Sequence, residues 1–201
     1  MMIHVELLRE RLGDVPDEVR QNLEVIKGEI GRLDRLVQGF LRFVRPQEFD
    51  PKPLDLNALV QQVVALLEAE WSGRNVRFDL ALAPDLPRVA GDQELLRQAL
   101  LNVVLNACQA MPEGGAVRVA TEPEAGKAVV VRIADGGVGI PAEDLERIFD
   151  LYFTTRPDGN GVGLSMVYRI VQLHDGRIDV TSSLGRGTTF TIRFPMGATS
   201  V

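Results

Sequence analysis

The sequence predicts a mixed α+β fold, in which a sheet carries helices over one face and a helical hairpin precedes it. Three observations point there. Apolar residues recur at steps of three and four between residues 23 and 44, a proline-rich break follows at 45–53, and beyond it helical and alternating periodicities interleave.

The length of 201 residues, 45% hydrophobic and 25% charged, suits one substantial core with an appended helical piece. A net charge of -6 offers nucleic acid no general attraction, and no basic block makes a local exception. The single cysteine, Cys108, excludes an intramolecular disulfide, and no cysteine/histidine cluster has zinc-ligand spacing. No run approaches bilayer-spanning length, and Met1-Met2-Ile3-His4 is soon followed by charges, unlike a signal peptide. The expected setting is reducing and cytoplasmic, with no nucleic-acid partner and no membrane contact by this chain.

In chain order, Val5, Leu8 and Leu12 follow a helical period, and Gly13-Asp14-Val15-Pro16 reads as the turn of a hairpin. Leu23, Ile26, Ile30, Leu33, Val37, Phe40 and Val44 then form a heptad seam that needs a partner. Two hairpins pairing between chains would cover it, and so would folding back on the chain's own globular part. The seam runs the whole helix and the first helix is short, which favours pairing between chains. Pro46, Pro51 and Pro53 forbid continuous helix, so residues 1–46 are read as the hairpin, 47–53 as a linker and 54–201 as the globular domain.

Within that domain, residues 55 to about 71 have a helical period, and Val76, Phe78, Leu80 and Leu82 alternate as in a half-buried strand. Asp92 caps a helix reaching about Met111, buried through Leu96, Ala99, Leu100, Val103, Val104 and Ala107. Val117 with Val119, then 128–134, then Ile178 with Val180, and finally Phe190, Ile192 and Phe194 mark strands. A helix over 165–174 would bury Met166, Val167, Ile170, Val171 and Leu173.

Three places carry chemistry. On the helix after Asp92, Asn102 and Asn106 stand one turn apart on a polar side; a polar row is often only solvated, yet Asn is a poor helix former. An amide oxygen ligates magnesium without adding charge, and Asn106 is the first candidate. Asp135 leaves a buried strand ahead of Gly136-Gly137-Val138-Gly139-Ile140. Its carboxylate there can accept from the exocyclic amine of adenine, although Asp before glycines is also an ordinary turn signal. Glycine at 137 and 139 allows close backbone approach to a ligand. Gly159-Asn160-Gly161-Val162-Gly163-Leu164 opens a helix, whose N-terminal N–H groups and positive dipole end favour phosphate. It lacks the Gly-Lys-Ser/Thr ending of a P-loop and the preceding strand of a dinucleotide fingerprint. Asp150 to Asp158 joins aromatics to Arg156, a guanidinium able to reach phosphate, as in a lid.

The ordered series Asn106, Asp135-x-Gly137-x-Gly139, the Phe149–Phe153 aromatics, Gly159-x-Gly161-x-Gly163 and Ser183-Leu184-Gly185-Arg186-Gly187-Thr188-Thr189-Phe190 resembles the ATP-binding domain of sensor histidine kinases. The wording around Ile148 to Arg156 is similar to their nitrogen-regulatory type, and the heptad helix resembles the second helix of their dimerisation hairpin. The resemblance implies a two-layer α/β sandwich shared with gyrase B, MutL and heat-shock chaperone ATPases, holding ATP and Mg2+ under a mobile lid. It implies ATP contacts at Asn102, Asn106, Asp135, Gly137, Gly139, Ile140, Thr155, Arg156, Gly161, Val162, Gly163, Leu164 and Thr188. Within that set, Asn106 takes the metal, Asp135 reads adenine, and Thr155 and Arg156 touch the terminal phosphate. The family usually has Asn where Gly136 stands here, which alters polar support around the base.

The family's phosphoacceptor is a histidine followed by an acidic residue and an Asn/Arg-Pro-Leu stretch. This chain has only His4 and His174, neither in that context. His174 closes the helix behind the glycine loop, where it would serve as a cation near the helix terminus or as a cap. The hairpin is therefore expected to be truncated, with the acceptor segment upstream of Met1 and a parent protein open to membrane anchoring there. The chain itself is expected to bind ATP and form a homodimer but not to phosphorylate itself; a response-regulator receiver domain is the implied partner. The alternatives are a related-fold kinase acting on serine of a regulatory protein, and a non-enzymatic dimer that binds nucleotide only as a ligand.

Overall fold

A computed structural model describes residues 19, 21–31, 49–124, 127–156, 159 and 161–196. The hairpin turn, His4, the seam positions from Leu33 to Val44 and Asn160 lie outside the described residues. Two units partition the chain: Gln47–Leu151 with Gly163–Val201, and a second taking in Met1–Pro46 and Tyr152–Val162.

In the larger unit the elements run β1 (Lys52–Leu54), α1 (Leu56–Trp71), β2 (Val76–Leu82), β3 (Val89–Gly91), α2 (Gln93–Gln109), β4 (Gly115–Glu124), β5 (Ala128–Asp135), α3 (Gly163–Leu173), β6 (Arg177–Ser183) and β7 (Gly187–Pro195). Five strands form one sheet in the order β2-β4-β5-β7-β6, with β2 and β4 parallel and the other neighbours antiparallel. Register explains the core. Val119 faces Ile133, Ile133 faces Phe190 and Phe190 faces Val180, so one row crosses the sheet on a single face. That face is covered by α1, α2 and α3, which contribute Leu59, Val63, Leu96, Leu100, Val103, Val167 and Ile170, all buried. The predicted sandwich is the architecture found.

The opposite face is wet. Arg132 pairs with Glu122, and Arg193 pairs with both Asp179 and Glu124. Such exposed pairs add little stability but keep the open face polar.

Three differences from the sequence reading have local causes. Lys52–Leu54 is a strand at the end of the proline-rich stretch, paired antiparallel with Val89–Gly91. Pro53 fits because a two-strand edge needs no donor on its outer side. Leu80 is 42% exposed, because β2 is an edge strand of the five-stranded sheet. In α3, Leu173 is 43% exposed while His174 is buried: Met166, Val167, Ile170, Val171 and His174 share the inward stripe, and Leu173 falls beside it.

In the second unit, residues 21–31 are helical, with Leu23 and Ile30 half-buried and Ile26 exposed. Among the described residues no helix is long and apolar enough to cross a membrane.

Candidate functional site

The site begins where β5 ends. Asp135 is its last residue, paired across the ladder with Thr188. The Asp135 carboxylate accepts, through Oδ1, the backbone N–H of Gly137 at 2.9 Å and of Thr188 at 3.3 Å. Two backbone donors therefore hold this oxygen at the end of the strand.

The surrounding backbones approach too closely for any side chain. A Cβ on Gly187, whose φ is +88°, would lie 1.9 Å from the Asp135 carbonyl oxygen. One on Gly137 would lie 2.3 Å from the carbonyl oxygen of Ala110. That same carbonyl accepts the Val138 N–H at 3.0 Å, stitching the loop to the end of α2 just one turn beyond Asn106. A Cβ on Gly139 would lie 2.2 Å from the Ser183 carbonyl. The Ser182 hydroxyl accepts the Ile140 N–H at 2.8 Å and lies 2.9 Å from both the Gly187 carbonyl and the Thr188 hydroxyl. Gly136, by contrast, has nothing but its own chain neighbours within 4 Å of where a Cβ would stand.

A second cluster lies along α2 and α3. Asp92 caps α2, its Oδ1 accepting the N–H groups of Glu94 at 3.0 Å and Leu95 at 3.1 Å. Asn102 and Asn106 are half-buried on the side away from the apolar stripe. The Asn102 amide oxygen is 3.5 Å from where a Gly163 Cβ would stand, so Asn102 lies at the N-terminus of α3, where N–H groups without helical partners collect. Cys108 faces the core, and burial pushes its thiol up to about 11, which leaves no reactive thiolate at neutral pH.

At the far end of these helices His174 is buried. Its Nε2 accepts the Asp92 N–H at 2.9 Å, and its Nδ1 lies 2.7 Å from the Ile170 carbonyl, which it caps as a donor. An imidazole that accepts at one nitrogen and donates at the other is neutral. Burial, the largest influence, lowers its pKa from the ordinary 6.5. Of the two roles expected for His174, the structure has the cap and not the cation.

In the second unit, Tyr152 donates its N–H to the Gly161 carbonyl at 2.9 Å, and the Thr154 hydroxyl accepts the Arg156 N–H at 3.1 Å. Thr155 is exposed, Arg156 half-exposed and Val162 buried. Gly161, at φ +64°, is pressed against Tyr152 so that a Cβ would come within 2.3 Å of its carbonyl carbon.

The structure thus gathers Asp135, Gly137, Gly139, Ile140 and Thr188 into one cluster, and Asn102 with Gly163 into another, with Asn106 on the same helix and Leu164 in the first turn of α3. Thr155, Arg156, Gly161 and Val162 belong to the separate unit. Sequence reasoning overlooked Ser182 and Gly187 as site residues. The Gly-Arg-Gly-Thr wording at 185–188 was the available signal, but only the β5–β7 register shows that Gly187 rests on Asp135.

Among the described residues no group of three or more His, Cys, Asp or Glu could hold a metal ion. The oxygen donors on offer are the carboxamides of Asn102 and Asn106. That set is too small to bind a cation alone, but it suits magnesium, which keeps waters and takes phosphate oxygens from a nucleotide.

The family described as histidine kinase-, DNA gyrase B-, and HSP90-like ATPase matches residues 91–198. The sensor histidine kinase ZraS of Escherichia coli K12 is 37% identical over 182 residues, covering 90% of this chain and 39% of ZraS. The chain thus spans about two fifths of the length of that curated relative. Full-length ShkA in complex with AMPPNP superposes with a TM-score of 0.74 at 28% identity, over 94% of this chain and 41% of that one. The histidine kinase ThkA in complex with the response regulator TrrA superposes with a TM-score of 0.76 at 25% identity, over 100% of this chain and 58% of that one.

Proposed function

The chain belongs to the histidine kinase-, DNA gyrase B- and HSP90-like ATPase family, as the catalytic ATP-binding domain of a sensor histidine kinase, and from that premise we propose how its residues hold ATP. Asp135 accepts the exocyclic amine of adenine, and Gly137, Gly139, Ile140 and Thr188 wall the base. Asn106 is the magnesium ligand, with Asn102 beside it. Gly163 and Leu164, in the first turn of α3, present backbone N–H groups to the phosphates; the family resemblance adds Gly161 and Val162 to that set and assigns the terminal phosphate to Thr155 and Arg156. The supporting observation is the Asp135 carboxylate, held by two backbone N–H donors at the end of a buried strand. A base that presents an amine donor fits there; one that presents a carbonyl meets a negative charge.

Bound magnesium would neutralise phosphate charge. The chain's own part is to orient the nucleotide: the base through Asp135, the phosphates through the N-terminus of α3. The phosphoryl acceptor is a histidine supplied by another segment, because His174 is buried with both ring nitrogens engaged and His4 lacks the acceptor context. We read the chain as unable to phosphorylate itself. Half-exposed Leu23 and Ile30 with exposed Ile26 support a homodimeric helical pairing, and the ThkA–TrrA complex supports a response-regulator receiver domain as partner, in a cytoplasmic setting.

Incubation with labelled ATP, magnesium and a separate acceptor hairpin should label the hairpin on histidine, stable to base and labile to acid, and leave this chain unlabelled. Label on serine, or acid-labile label on this chain alone, would overturn the reading.

A further inference from the structure

Helices α2 and α3 meet at both ends of their shared length, by a close approach at one and a hydrogen bond at the other. At one end the Asn102 amide lies on Gly163, the first residue of α3. At the other, Nε2 of His174, just past the end of α3, accepts the N–H of Asp92, the cap of α2. The spans 92–102 and 163–174 are similar, about 15 and 17 Å at the helical rise of 1.5 Å per residue. The helices therefore run antiparallel.

We propose that His174 is a positioning residue for nucleotide binding, whose neutral imidazole holds the phosphate-facing end of α3 in register with Asn102 and Asn106. The proposal rests on the ATP site assigned above.

The surroundings make the link specific. Phe49 meets the imidazole edge to face at 5.0 Å and Phe194 at 6.1 Å, so the ring is packed between apolar faces. A Cβ on Gly91 would stand 3.5 Å from its Cδ2. The charged groups near it are Asp92 and Asp175. The Asp92 carboxylate is already engaged, Oδ1 by the Glu94 and Leu95 N–H groups and Oδ2 by the Asp50 N–H at 3.3 Å, while Asp50 pairs with Lys52. Protonating Nε2 sets an N–H against the Asp92 N–H, two donors with no acceptor between them. The link then opens, and α3 loses its axial stop. Burial outweighs the raising effects of the Ile170 carbonyl and the two aspartates, so the neutral form is the one the fold keeps.

Linkage makes this measurable. If the bound state needs neutral His174, nucleotide lowers the pKa of His174, and affinity falls with pH more steeply than nucleotide ionisation alone requires. The test is calorimetry with Mg-ADP between pH 5.5 and 7.5 on the whole chain and on H174Q, with NMR titration of the His174 ring with and without Mg-ADP. Gln keeps an acceptor near the Nε2 position but cannot titrate. The expected result is near-equal affinity at pH 7.5, about threefold greater loss for the parent chain at pH 5.5, and a downward move of the His174 pKa on binding. H174F, which removes the acceptor, should weaken binding at every pH. Parallel pH profiles for the parent chain and H174Q, or an unmoved His174 titration under saturating Mg-ADP, would overturn the proposal. No binding by the parent chain at any pH would instead sink the ATP-site assignment.

Discussion

The two ends of the candidate site are built on different principles. Around Asp135 the backbone itself is the wall: Gly187, Gly137 and Gly139 each lie where a Cβ would come within 2.3 Å of a carbonyl oxygen. Around Asn102 and Gly163 the elements are whole helices, and a Gly163 Cβ would make only an ordinary contact at 3.5 Å. A pocket made of locked ladder backbone is rigid before ligand arrives. One made by two helix faces depends on how those helices are held, and the caps at Asp92 and His174 do the holding. The difference teaches that Gly137, Gly139 and Gly187 are required for folding, whereas Gly163 has room for a side chain and would serve ligand approach.

Substitutions at the two ends separate these roles. The largest effect is expected from G187A, which forces a methyl into the Asp135 carbonyl at positive φ; it should cost at least about 3 kcal/mol and lower Tm by roughly 10 °C in a scanning calorimeter. An unchanged Tm would show that the base end yields. D135N should leave Tm within a few degrees but weaken Mg-ADP binding by about 2 kcal/mol, roughly thirtyfold, in isothermal titration. G163A should do something G187A cannot: keep or slightly raise Tm, since Ala suits a first helical turn, while reducing nucleotide affinity about tenfold. A parallel loss of Tm and affinity would erase the contrast.

Smaller effects come from the far end of the helices. D92A removes the cap of α2 and should cost about 1 kcal/mol, seen as a Tm lower by about 3 °C. His174 adds a pH dependence whose sign follows from its lowered pKa. The unfolded ring, with an ordinary pKa of 6.5, binds its proton before the folded one does. The stability contributed by the neutral ring is thus complete above pH 6.5 and is lost as pH falls below it towards the folded pKa. Thermal melts from pH 7.5 down to 5.5 should show that loss in the parent chain and a shallower slope in H174Q.

What the sequence made legible follows the same division. Helix α2 was readable from Asp92 as cap and from the spacing of Leu96, Ala99, Leu100, Val103 and Val104, because local periodicity alone decides such an element. Strands β5 and β7 were readable from Val129–Ile133 and from alternating Phe190, Ile192 and Phe194. Asp135 was readable because a carboxylate at the end of an apolar strand is locally anomalous. Ser182 and Gly187 were not, because their role depends on which strand lies next to β5, and register is a long-range property. Lys52–Leu54 escaped because three residues carry no measurable period and Pro53 reads first as a breaker. Leu173 and His174 exchanged their expected places because helical phase outranks side-chain polarity at the end of a stripe, and a histidine with both nitrogens satisfied is tolerated inside.

Nucleotide choice rests most on Asp135 reading an adenine amine. Isothermal titration of the folded chain with Mg-ADP and with Mg-GDP, side by side with D135N, tests that directly. Saturable one-to-one binding of Mg-ADP, weak or no binding of Mg-GDP, and a roughly thirtyfold loss with ADP in D135N are expected. Equal affinity for the two nucleotides, or an unchanged ADP affinity in D135N, would contradict it.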